Sequence, residues 1–107
     1  MKTISAAVLL GTLFQIQALA ATPCEGLAGL RLTNAKIDSA GVVAAGAFVP
    51  PGGGGRGAGA FANLPVFCRV TVTLTPSSDS DIKIEVWLPQ SGWNGKFQAV
   101  GNGGWAG

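Results

Sequence analysis

The stretch that decides the fold is Phe67-Cys-Arg-Val-Thr-Val-Thr-Leu-Thr75, followed by Pro76-Ser-Ser-Asp-Ser-Asp81 and Ile82-Lys-Ile-Glu-Val-Trp-Leu88. In the first run Val70, Val72 and Leu74 alternate with Thr71, Thr73 and Thr75. That is the period of a half-buried strand rich in β-branched residues. The second run alternates again, with Ile82, Ile84, Val86 and Leu88 inward and Lys83, Glu85 and Trp87 outward. The polar stretch between them reads as a turn, so the pair is predicted to be an antiparallel hairpin. Pro89 ends the second strand by withdrawing a backbone donor.

Downstream, Ser91-Gly-Trp-Asn-Gly95 carries an Asn-Gly turn signal, and Trp93 is expected to pin it. Lys96 to Val100 is predicted to begin a third strand, in a more central position because its apolar residues run together. That run empties into Gly101-Asn-Gly-Gly-Trp-Ala-Gly107, and the chain stops inside the turn. A domain rarely ends in such a place, so the sequence reads as the front of something larger. Three readings of the turn stand side by side. Glycines let backbone N–H groups approach a developing oxyanion without a Cβ in the way, with Gly103 or Gly104 as donor. Gly101-x-Gly103-x-x-Ala106 also matches a dinucleotide-binding turn after a strand, although the preceding hairpin argues against that. The third reading is a structural turn without chemistry.

Upstream, Cys24-Glu-Gly-Leu-Ala-Gly-Leu-Arg-Leu32 is predicted to make a turn of helix. Lys36 to Val43 is predicted to be a strand, with Asp38 to Gly41 as a turn within it. Pro50-Pro-Gly-Gly-Gly-Gly-Arg-Gly-Ala-Gly59 is a low-complexity loop that gives nothing to pack. Its formal G-x-G-x-x-G follows prolines and precedes no helix pattern, and no Gly-Lys-Ser/Thr closes it. Nucleotide binding there is set aside.

The first twenty or so residues have the layout of an export signal. Lys2 is the positive region, Ala6 to Phe14 the apolar region, and Ala18-Leu-Ala20 the small-residue cleavage site. The apolar run falls short of the roughly 20 residues a spanning helix needs. Cys24 lies several residues past the cleavage site, not directly after it, which argues against lipoprotein processing. The expected localisation is secreted or periplasmic, with mature residues 21–107. In an oxidising compartment Cys24 and Cys68 are expected to pair. A chain-entropy estimate gives about 4 kcal/mol for closing a loop of that length.

The chain has no histidine. It therefore holds no complete Ser-His-Asp or Cys-His constellation, and two distant cysteines make a poor metal site. Loss of Lys2 would lower the formal charge from +2 to about +1, and only 11% of all residues are charged. No nucleic-acid footprint or acidic tail is present. Asp79 and Asp81 sit in a turn, where Asp caps backbone groups. No serine stands in a G-x-S-x-G elbow. Trp87 is expected to be covered by another element, and of the three tryptophans Trp105, beside the glycines, has the best claim to line a pocket.

Taken in order, Phe67-Cys-Arg-Val, the hairpin ending in Glu85-Val-Trp-Leu-Pro89, Trp93-Asn-Gly-Lys-Phe97 and Gly101-Asn-Gly-Gly-Trp-Ala-Gly107 resemble the N-terminal part of the tannase/feruloyl esterase family. These are secreted α/β-hydrolases with a serine triad and a lid domain inserted late in the fold. The resemblance implies an α/β fold of which residues 21–107 supply the first, β-rich part, with 50–59 as a surface loop. It implies hydrolysis of aromatic (feruloyl- or galloyl-type) carboxylic esters through an acyl-enzyme. Nucleophile, acid and histidine fall downstream, as does the calcium site found in the lid of some members; no cofactor is implied for these residues themselves. Gly103 and Gly104 carry over as oxyanion candidates, and an early cysteine paired with that of Phe-Cys-Arg suits Cys24 and Cys68; Trp105 is a substrate-binding candidate only through its place beside those glycines. The chain alone should be inactive. A rival reading is a small secreted β-rich module that stacks Trp87 or Trp105 on polysaccharide or phenolic ligands.

The export reading makes a direct prediction. Mass spectrometry of the protein recovered from an exporting host should find a mature N-terminus at Ala21, and an Ala20→Gln substitution should leave the precursor uncleaved.

Overall fold

A computed structural model describes residues 22–52 and 58–101. The export segment, the middle of the glycine-rich loop, and Gly103, Gly104 and Trp105 lie outside the described residues. The order of elements is a short 3-10 helix (Cys24–Gly29), β1 (Ala35–Val43), a second 3-10 turn (Ala58–Phe61), β2 (Phe67–Leu74) and β3 (Ile82–Pro89). The strands form one antiparallel sheet in the order β1-β2-β3. The described part is thus β-rich.

The hairpin is as the alternation predicts. Val70 stands opposite Val86, Val72 opposite Ile84, and Phe67 opposite Pro89, where the strand ends. Val70 and Val72 are buried, together with Cys24, Phe67 and Cys68. Ala35, Ile37, Ala40, Leu74, Val86 and Leu27 pack around the cluster of Cys24, Cys68, Val70 and Val72.

Two strand expectations are corrected. Lys96 to Val100 is not a strand; the third strand is Ala35–Val43, on the far side of β2. A strand needs a hydrogen-bonded neighbour. Among the described residues none lies beside this segment, so Phe97 and Val100 are each 82% exposed. Asp38 to Gly41 is not a turn but the middle of β1, which slips by one residue between Ile37 and Ser39. The extra residue is Asp38, a β-bulge. It puts Asp38 and Ser39 on the threonine face of β2 and leaves Ile37 and Ala40, three positions apart, both on the core face. An uninterrupted period of two would have turned Ser39 into the core.

A third difference lies in β3. Its inward row was expected to be buried, yet only Val86 is half-buried, while Ile82, Ile84 and Leu88 are 47%, 38% and 39% exposed. The cause is what covers the sheet. The first 3-10 helix contacts β1 and β2 but not β3.

That helix has little of its own to hold it. It spans six residues, lacks a side-chain cap, and buries only Cys24. Leu27 is half-covered by the core. Ordering six residues costs at least about 6 kcal/mol of backbone entropy, and Leu27 returns at most about 3. The shortfall is of the size of the constraint from the disulfide. Cys24 and Cys68 are joined with their Cα atoms 5.6 Å apart across a sequence separation of 44.

The long connection from β1 to β2 closes at its base. Gly46 donates its amide to the Leu64 carbonyl at 2.9 Å. It has φ +68°, and a Cβ there would sit 2.8 Å from the Ala62 carbonyl oxygen, so only glycine fits.

The contrast between the two sides of the hairpin is measurable. Val72→Ala should destabilise the protein by about 2 kcal/mol, and Ile84→Ala, on the open row, by well under half of that. Urea unfolding of the two variants reads the difference.

Candidate functional site

Hairpin register brings side chains together on the face opposite the disulfide. Arg69 on β2 stands across from Trp87, and Glu85 is its diagonal neighbour. Arg69 Nε donates to Glu85 Oε2 at 2.9 Å, and a second guanidinium nitrogen bonds Glu85 Oε1, so the pair is bidentate. Trp87 Nε1 also donates to Glu85 Oε2, at 3.0 Å. The Trp87 ring stacks on Phe67 with centroids 4.6 Å apart and meets Phe48 edge-on at 4.7 Å. Phe48 in turn packs edge-on against Phe61 at 5.1 Å, and the Arg69 guanidinium lies 5.3 Å above the Phe48 ring.

Phe67 and Phe48 cover one side of Trp87, but 37% of it remains open, so the expected cover by another element is only partial. Beside it lies a shallow slot of about 170 Å³ lined by Leu64, Pro65, Phe67, Trp87 and Pro89. Sequence reasoning passed over Phe48 and Phe61. Their signal was their placement, one on each side of the glycine-rich loop, with no other aromatic between them.

Further along the same face the groups are polar. Ser39 and Thr71 share a hydroxyl hydrogen bond at 2.6 Å. Thr73 donates to Asp38 Oδ2 and accepts from Lys83 Nζ at 2.8 Å. Lys83 also pairs with Asp81 at 2.7 Å. The Thr73 hydroxyl is the main reason the Asp38 carboxyl titrates below its usual range. Asp79 is lowered in the same way, chiefly by the Ser77 hydroxyl, in the turn before β3. These carboxylates serve turns and strand pairs.

The approach to the glycine turn is ordered by Trp93. Its Nε1 donates to the Lys96 carbonyl at 3.0 Å, and the Lys96 amide donates to Asn94 Oδ1 at 3.0 Å. Gly95 takes φ +78°. The tryptophan thus pins the Asn94-Gly95 turn as expected, while Gly103, Gly104 and Trp105 beyond it fall outside the described residues.

Comparison with known proteins finds relatives named as esterases. An uncharacterized esterase of Xanthomonas campestris pv. campestris is 44% identical over 99 residues, covering 88% of this chain and 16% of the relative. A probable feruloyl esterase B-1 of Aspergillus oryzae is 36% identical over 89 residues, 78% of this chain and 16% of the relative. Feruloyl esterase C of Talaromyces stipitatus is 43% identical over 44 residues, 41% of this chain and 8% of the relative. The chain thus spans 16% of the length of the first two. No family model matches, and no solved structure matches.

Arg69 also sets an acid limit on this face. Its hydrogen bonds hold the Glu85 carboxyl below the ordinary 4.5. A depressed folded value means the contribution is full above the ordinary value and is lost as pH falls through the lower one. Glu85→Gln should flatten part of the fall in stability below about pH 4.5, read by urea unfolding at a series of acid pH values.

Proposed function

Because this chain belongs to the feruloyl esterase family, we propose that it is the amino-terminal part of an exported serine hydrolase that cleaves aromatic carboxylic esters of feruloyl or galloyl type. The observation that carries this reading is the similarity to the Xanthomonas esterase along 88% of the chain. The hairpin and the Trp93 turn then belong to the start of an α/β-hydrolase sheet. Residues 1–20 serve as the signal peptide and 21–107 as the beginning of the catalytic domain.

In the proposed mechanism the glycine turn after Val100 supplies an oxyanion donor. The Trp93–Lys96 and Asn94–Lys96 hydrogen bonds set the direction in which the chain leaves the sheet. Gly103 or Gly104 then presents its amide to the alkoxide that forms when a serine attacks the ester carbonyl. A donor fixed in advance acts most on the charge that appears in the transition state. Trp105 lies along the aromatic acyl group. The histidine comes from outside these residues, since the chain has none, and on this reading so do the serine and its acid. The 107 residues by themselves are inactive. Any calcium site belongs to a lid outside them too.

A second reading, a binding module, draws on the part-open Trp87 and its apolar slot. It predicts that residues 21–107 fold cooperatively alone and bind phenolic or polysaccharide ligands.

The test begins with the complete reading frame of the gene, expressed and assayed on methyl ferulate and methyl gallate. Hydrolysis of either is expected. Gly103→Pro and Gly104→Pro each delete one backbone N–H, and the one that removes the oxyanion donor should lower kcat by about 10²–10³ with a smaller effect on KM. A soluble, folded product that hydrolyses neither ester would overturn the reading.

A further inference from the structure

We propose that the Cys24–Cys68 disulfide is a redox gate on the apolar face of the sheet: oxidised, it clamps the first 3-10 helix over β1 and β2, and reduced, it lets that helix leave while the sheet persists. The asymmetry of the two ends carries the idea. Cys68 is 1% exposed on the central strand, flanked in register by Val42 and Leu88. The strand holding it is bonded on both edges, to β1 and to β3. Cys24 is 6% exposed, but its helix has no side-chain cap and buries no other residue. Within the helix and its caps the backbone bonds include Gly26 N–H to the Pro23 carbonyl, 2.9 Å, and Leu30 N–H to the Leu27 carbonyl, 3.1 Å. Two turns of 3-10 helix do not persist unaided.

The co-reactant is a small thiol. Local opening of the helix carries Cys24 Sγ into solvent ahead of Cys68 Sγ. A thiolate attacks Cys24 Sγ and forms a mixed disulfide there. The Cys24–Cys68 bond breaks, and the electron pair leaves on Cys68 Sγ, which takes up a proton. A second thiolate attacks the sulfur of the first thiol, forms a disulfide between the two small thiols, and releases Cys24 as a thiolate that is protonated in turn. Two thiols have given two electrons. Departure of the helix uncovers Val70 and Val72, which join Ile84 and Leu88 of β3 in one open apolar face.

The test uses the product of the complete reading frame, recovered after export, and reduced glutathione. After partial reaction and acid quenching, peptide mass spectrometry should find glutathione on Cys24. In the fully reduced chain the amides of Gly26 and Leu30 should exchange hydrogen at least about tenfold faster, while those of Val70 and Val72 keep their protection. Glutathione on Cys68 would overturn the proposal. So would unchanged exchange at Gly26 and Leu30. Equal loss of protection in β2 would overturn it too, because the bond would then hold the whole fold and not one helix.

Discussion

The bond between Cys24 and Cys68 is where the amino-terminal segment and the sheet become one structure. It rises from near the start of the central strand, and its two sulfur-bearing residues are two of the five buried hydrophobic residues among those described. The six-residue helix buries little apolar surface of its own, so the covalent link counts for much of the balance that keeps it on the sheet. Val70 and Val72 are covered because Cys24 brings Leu27 with it. Where the helix does not reach, the row of Ile82, Ile84 and Leu88 stays open.

The opposite face is held by a different interaction. Arg69 grips Glu85 with two hydrogen bonds and lies over Phe48, so one side chain ties β3 and the long β1–β2 connection to the same strand. The pair is partly exposed, and its direct contribution is modest. Its effect is geometric: it sets Trp87, through the shared Glu85 oxygen, against Phe67 and Phe48. The glycine-rich loop is therefore anchored at its two ends by Phe48 and Phe61, and Gly46 closes the base. Low-complexity composition there coexists with a well-defined base.

For function, the informative part is how the backbone leaves the sheet. Trp93 and Asn94 bond to Lys96 and set the turn from which Lys96 to Val100 departs. An oxyanion donor is a backbone group, so its position depends on such turns more than on side-chain identity.

What the sequence determined by itself is local: the hairpin from its alternation of Val and Thr, then of Ile and Lys or Glu; the end of β3 at Pro89; the Trp93-Asn94-Gly95 turn; and the pairing of the two cysteines. Each depends on neighbours a few residues away or on the chemistry of one residue type. The motif string likewise gave the family, since order and identity of residues are sequence properties. Tertiary structure decided the rest. Which segment becomes the third strand depends on what lies beside β2, and Ala35–Val43 does while Lys96 to Val100 does not. The bulge at Asp38 is legible only once Ile37 is seen opposite Val72 and Ser39 opposite Thr71. The burial of an inward row depends on whether an element lands on it. That is why identical alternation yields a closed face on β2 and an open one on β3: periodicity specifies which way a side chain points, and only packing specifies whether anything is there to meet it.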